Sequence, residues 1–286
     1  MVDLNNFPLA VSHSMEALPA SSRIRSIYPE DIFPNGSYVQ LPYGRVRFWL
    51  LGPDNGPRVV LIHGLSTPGI TWLKVAPYLA ERGFRVLVYD LYGKGYSEAP
   101  KTPYHVNLFI TQLALLLQYI EWDHAHIAGL SMGGAITAAF TATLPHLVSG
   151  KVILIASGGV KDRPAQMPEP SAVDPIPQYT ELRLLQTEHL PGYKTGVASC
   201  FIDGPIFGIR WAFDRLGDVH VASGKILQTL ILHGTADSVV DFGQALEIKS
   251  HIPTAKLIAV EGAGHDLTLR HEHWEQVAEH MYEFLK

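Results

Sequence analysis

Ser131 stands in the run Gly129-Leu130-Ser131-Met132-Gly133, where an apolar segment gives way to a small-residue stretch. A hydroxyl framed by glycines at a strand-to-helix passage suits a nucleophile. A tight turn there pushes the side chain clear of the sheet, and the glycines remove Cβ atoms that would clash. The same turn leaves the Met132 N–H at a helix N-terminus, aimed where negative charge develops when a carbonyl is attacked. A β–α turn with a space-saving serine reads the same way, so both readings stand on these five residues alone.

A serine hydroxyl is a weak nucleophile at neutral pH and needs a base, which itself needs an orienting acid. The chain holds 14 histidines. His265 differs from the rest because "EGAGHD" puts it just after an apolar strand, in a glycine-rich loop. In "LILHGTADSVV" Asp237 lies at the mouth of the preceding strand in the same manner. Both positions follow the carboxyl ends of strands, where open α/β sheets collect ligands. The chain order serine, aspartate, histidine is the order expected of one such fold.

Elements able to position these residues alternate along the chain. "SYVQL" and "RVRFWLLG" read as an antiparallel hairpin around "PYG". Segments 59–64, 85–90, 125–131 and 151–157 are compact β-rich runs with little polar alternation, as strands buried on both faces are. Helical patterns separate them, which implies a parallel sheet with right-handed crossovers. After Ser157 the rhythm breaks into a Pro-rich stretch and two helical patterns, "YTELRLLQTEHL" and "PIFGIRWAFDRLG", then resumes at 229–234 and 256–262. The organisation is therefore a leader at 1–36, a core at 37–160 and 225–286, and a cap at 161–224. Residues 1–36 either stay loose or meet a partner, and the Pro-rich start of the cap implies an irregular cover that gates access.

The sequence resembles the α/β-hydrolase superfamily from about residue 37 onward. His63-Gly64 follows the third strand, as in the family's oxyanion loop. "DLYGKGYS" (90–97) is similar to its D-x-x-G-x-G-x-S stretch, and "HGTAD" and "GAGH" match the segments that bring acid and base. The resemblance implies a mostly parallel central sheet with helices on both faces and an inserted helical cap. It makes Ser131 the nucleophile, His265 the base and then acid, and Asp237 the residue that orients it. It assigns the oxyanion donors to the backbone N–H groups of Leu65 and Met132, with Ser66 a candidate for an added hydroxyl. Relatives that draw the acid from the sixth strand make Asp162 a rival to Asp237. His63 and Asp90 are expected to brace their loops.

The implied chemistry is hydrolysis of a carboxylic ester, as by a carboxylesterase or small lipase, through an acyl-enzyme. Alternatives are carbon–carbon cleavage of a diketone with the same triad, and a ligand-binding protein that keeps the fold. Serine rather than aspartate at the elbow disfavours epoxide and halide chemistry. Apolar residues of the cap, Phe207 and Trp211 among them, point to an apolar small-molecule ester. No H-E-x-x-H or comparable spacing suggests a metal, and neither "GAG" nor "GKG" has a nucleotide-binding context, so no cofactor is expected. A net charge of -5 with no basic stripe argues against nucleic acid. No run reaches the roughly 18 apolar residues of a membrane span. A single cysteine and an N-terminus without a signal-peptide pattern lead to a cytoplasmic expectation.

Overall fold

The computed structural model describes residues 9–164 and 176–286. Ten strands and nine helices occur among them. The strands are β1 (Val11–Ser12), β2 (Gly36–Leu41), β3 (Gly44–Leu51), β4 (Arg58–Ile62), β5 (Arg85–Tyr89), β6 (Ala99–Pro100), β7 (Ala125–Leu130), β8 (Val148–Ile155), β9 (Gln228–Gly234) and β10 (Lys256–Val260). The helices are α1 (Arg23–Ile27), α2 (Val75–Glu81), α3 (Val106–Tyr119), α4 (Met132–Thr143), α5 (Pro177–His189), α6 (Pro191–Ile202), α7 (Arg210–Leu216), α8 (Phe242–His251) and α9 (Trp274–Leu285).

Eight strands form one sheet in the order β10-β9-β8-β7-β4-β5-β3-β2. Only the β2–β3 and β3–β5 pairings are antiparallel. Strand alternation sorts the apolar side chains onto two faces. Val60, Ile62, Ile127 and Val152 join one core with Leu113 of α3, Phe140 of α4 and Ile248 of α8. Val59, Leu61, Ala128 and Ile153 join the other with Leu79 of α2 and Met281 of α9. Because both faces are covered, the inner strands can be apolar at nearly every position, which is the pattern their sequences carry.

The chain leaves β4 to build β5 on one side and later β7 on the other, with Ile62 in register with Gly129. In open α/β sheets ligands collect beyond the carboxyl ends of strands at such a reversal, here those of β4 and β7. Gly64 and Ser131 follow those two strands.

Residues 9–35 are neither loose nor peripheral. Met15, Ile24, Ile27, Tyr28 and Phe33 are buried in the same core as α2 and α9. β1 pairs with β6, and Tyr28 Oη donates to Asp90 Oδ1 at 2.9 Å. The leader's apolar residues are spaced irregularly, with no strand or helix period to flag their burial in the sequence. The insertion between β8 and β9 carries α5, α6 and α7. α6 had no expected counterpart, since Gly192 and Gly196 blur its pattern. Of the Pro-rich stretch expected to gate access, residues 165–175 lie outside the described residues.

Candidate functional site

Ser131 caps α4 with φ 58° and ψ -121°, a backbone conformation that L-residues rarely hold. The neighbours over-determine it. The Ser131 N–H donates to Ile155 O at 2.8 Å, and Ser131 O accepts from Gly134 N at 3.0 Å. A Cβ on Gly133 would collide with the Ile62 carbonyl, and one on Gly129 with the Gly133 carbonyl. Both glycines are thus demanded by close approach between the start of α4 and the ends of β4 and β7. The Met132 N–H opens the helix and has no intrahelical acceptor.

Asp237 and His265 come together from the loops after β9 and β10. His265 Nδ1 lies 2.8 Å from Asp237 Oδ2. The Asp237 side chain is fully buried and the His265 side chain is 21% exposed. Asp237 Oδ1 accepts from Val239 N and Val240 N, each at 2.9 Å. Burial works against the carboxylate charge. Hydrogen bonds from His233 and His265, the His265 charge and the Val240 N–H outweigh it and hold the pKa well below the usual carboxylate value. An ionised carboxylate only accepts, so His265 Nδ1 is the nitrogen that donates to it. Among the described residues neither His265 Nε2 nor Ser131 Oγ has a hydrogen-bond partner. Asp266, next in sequence, is drawn aside into an ion pair with Arg270 at 2.9 Å.

The loop after β4 lies against the serine: a Cβ on Gly64 would sit 3.3 Å from Ser131 Cβ. His63 is fully buried and engaged at both ring nitrogens. Nδ1 donates to Gly64 O at 2.8 Å, and Nε2 accepts from Leu91 N at 2.9 Å. Burial pushes its pKa down to about 3, so the ring stays neutral in this tautomer. Gly64 O and Leu65 N belong to one peptide plane and point opposite ways. By gripping the carbonyl, His63 sets the direction of the Leu65 N–H. Asp90 braces the adjoining loop, with Oδ1 accepting from Gly69 N and Tyr28 Oη and Oδ2 from Tyr96 N.

Ser66 enters the structure through its carbonyl, which accepts from Gln186 Nε2 and Tyr193 Oη. Phe207 is half-buried and follows Ile206, whose carbonyl accepts from Gly159 N beside the elbow. Trp211 departs from expectation. Ala212, Phe213 and Leu216 take the inward face of α7, and the helical period turns Trp211 outward, 39% exposed, with the Arg215 guanidinium 5.5 Å from its ring. Asp162 has a side chain 85% exposed and lies 3.8 Å from Arg210, away from His265's carboxylate partner. Sequence reading missed His233, Gln186 and Tyr193. His233 carried a faint signal, a histidine inside the apolar strand "LILHG"; it is fully buried, with Nε2 2.8 Å from Val240 O and 3.3 Å from Asp237 Oδ2. Among the described residues no group of three or more His, Cys, Asp or Glu side chains is arranged to hold a metal ion, and no helix is long and apolar enough to cross a membrane.

A sequence profile described as alpha/beta hydrolase fold matches residues 57–187. The 2-hydroxy-6-oxo-2,4-heptadienoate hydrolase of Pseudomonas putida is 30% identical over 234 residues, 73% of this chain and 83% of that protein. The chain belongs to the α/β-hydrolase family. An uncharacterized protein of Mycobacterium tuberculosis is 33% identical over 141 residues, and the chain spans only 40% of that relative's length. A carboxylesterase from Bacillus subtilis shares the fold with a TM-score of 0.73 at 18% identity, over 92% of this chain and 94% of that one.

Proposed function

We propose that the protein is a serine hydrolase that cleaves a carboxylic ester through an acyl-enzyme. The reading rests chiefly on the 2.8 Å contact between His265 Nδ1 and Asp237 Oδ2, which leaves Nε2 uncommitted. Ser131 Oγ attacks the ester carbonyl while His265 Nε2 takes its proton. Asp237 holds the tautomer and offsets the imidazolium charge. The N–H groups of Leu65 and Met132 stabilise the oxyanion. Collapse expels the alcohol, protonated by His265, and water then releases the acid by the reverse roles. Phe207 contributes to an apolar wall for the substrate.

A second reading uses the same three residues to cleave a carbon–carbon bond in a diketone. It is favoured by the Pseudomonas putida hydrolase named above and by the 2-hydroxymuconate semialdehyde hydrolase of a Pseudomonas strain, 27% identical over 82% of that protein.

Intact-mass labelling with a fluorophosphonate tests the common ground. One adduct is expected on the wild type and none on Ser131→Ala. A panel of aryl esters beside a vinylogous 1,5-diketone then separates the two readings by kcat/KM. Failure of the wild type to take up label would remove both and bring forward a ligand-binding protein that keeps the fold.

A further inference from the structure

The segment from His63 to Ser66 is held from two sides. From the core, His63 grips the Gly64 carbonyl, and His63 is itself anchored by the Leu91 N–H. From the cap, α5 and α6 reach the carbonyl of Ser66. Gln186 Nε2 donates to it at 3.2 Å and Tyr193 Oη at 3.0 Å. Gln186 is fully buried, and its Oε1 accepts from Gly95 N at 3.0 Å, so one amide ties the Ser66 loop to the 90–97 loop. Tyr193 is buried to all but 3%. Leu65 lies between the two gripped carbonyls.

We propose that Gln186 and Tyr193 are positioning residues that couple docking of the cap to assembly of the oxyanion site. With α5 and α6 seated, the loop is anchored on both sides of Leu65 and its N–H is held on target. With the cap lifted, the Ser66 carbonyl turns to water, the downstream anchor is lost, and the donor swings with the freed loop. A preorganised donor stabilises a developing oxyanion because no reorganisation is needed at the moment of reaction, so a donor that must first be recaptured contributes less. The acid–base pair is untouched by this, since Asp237 and His265 hang on loops after β9 and β10. The enzyme would therefore bind substrate with the cap raised and reach full reactivity only once the cap has reseated.

The inference rests on Leu65 N–H as an oxyanion donor in the proposed serine hydrolase. Tyr193→Phe removes one oxygen and keeps the ring, while Gln186→Met removes the amide at similar length. Each is to be measured for kcat, KM, melting temperature, fluorophosphonate stoichiometry and inhibition by an aryl trifluoromethyl ketone, whose adduct with serine is an oxyanion. The expected result is a roughly tenfold fall in kcat for each variant, smaller than the loss for removing an oxyanion donor outright. Ketone affinity should fall by the same factor, with KM, the acid limb of the pH profile and one-adduct labelling retained. Unchanged kcat and ketone affinity in both variants would overturn the proposal. So would a lowered melting temperature with kcat per labelled site and ketone affinity preserved, the signature of a merely structural role. An unlabelled wild type would overturn the serine hydrolase reading itself, and this inference with it.

Discussion

Two histidines lie in loops that follow strands of the sheet, His63 after β4 and His265 after β10, and their surroundings give them opposite capacities. His63 is sealed from solvent, bonded at both nitrogens to backbone, and pushed by burial to a pKa of about 3. His265 is one-fifth exposed, bonded at Nδ1 to a buried carboxylate, with Nε2 uncommitted. A proton carrier needs a nitrogen free to exchange and a partner that stabilises its charged form. A brace needs the reverse. On the proposed reading, the oxyanion side of the site is built from neutral hydrogen bonds, and the base side from one charge-assisted bond with a free end.

Removing His265 should break the comparison hardest. His265→Ala is expected to lower kcat/KM by about 10⁴-fold, the scale on which triad members act, with the melting temperature preserved. Stopped-flow or endpoint assay of the best aryl ester reads it, and a threefold loss would strip His265 of the base role. His63→Ala should cost less, about 10²-fold, because it disorders one oxyanion donor while leaving the acid–base pair in place. If the two losses were equal, His63 would be more than a brace.

A smaller effect concerns stability. His63 binds no proton in the folded state until about pH 3 but does so in the unfolded chain below about pH 6.5. The unfolded state therefore holds the extra proton across that window, and the His63 contribution to stability falls as pH falls. Asp90 opposes it, since its pKa is pushed up to about 6 by burial and the folded state takes a proton there first. The clean readout is the difference between wild type and His63→Gln in urea unfolding at pH 7 and pH 4.5. The wild type should lose roughly 3 kcal/mol more than the variant across that interval, two pKa units' worth. Parallel losses would mean that His63 is not held neutral by the fold. The smallest expected effect is that of Asp162→Asn. Among the described residues its exposed carboxylate pairs with Arg210 alone, so kcat/KM should change less than twofold, and a large loss would reopen the identity of the acid.

Some of this organisation was legible from residue order. The glycines around Ser131 mark an approach of α4 onto β4 and β7 too close for any Cβ, and that steric demand appears as Gly at 129 and 133. The inner strands declared themselves through unbroken apolar runs, because a sheet covered on both faces has no wet side to mark with polar residues. The loop motifs around His63, Asp90, Asp237 and His265 were readable for a similar reason, since each sits at a strand end where local backbone needs restrict the residue types. Trp211 shows the opposite case. Its apolar neighbourhood suggested a pocket wall, yet only the docking of α7 decides which of its faces turns outward.

By itself the sequence determined the alternating α/β architecture, the strained elbow at Ser131 and the candidacy of Asp237 and His265, because these follow from period, glycine placement and chain order. Only the tertiary structure decided that residues 9–35 pack into the core, that His233 shares Asp237, and that Gln186 and Tyr193 reach across to Ser66. The last two contacts join residues 120 and 127 positions apart through single hydrogen bonds. A lone donor and acceptor leave no periodic trace in a sequence, and their pairing exists only once the sheet, the cap and the leader have packed together.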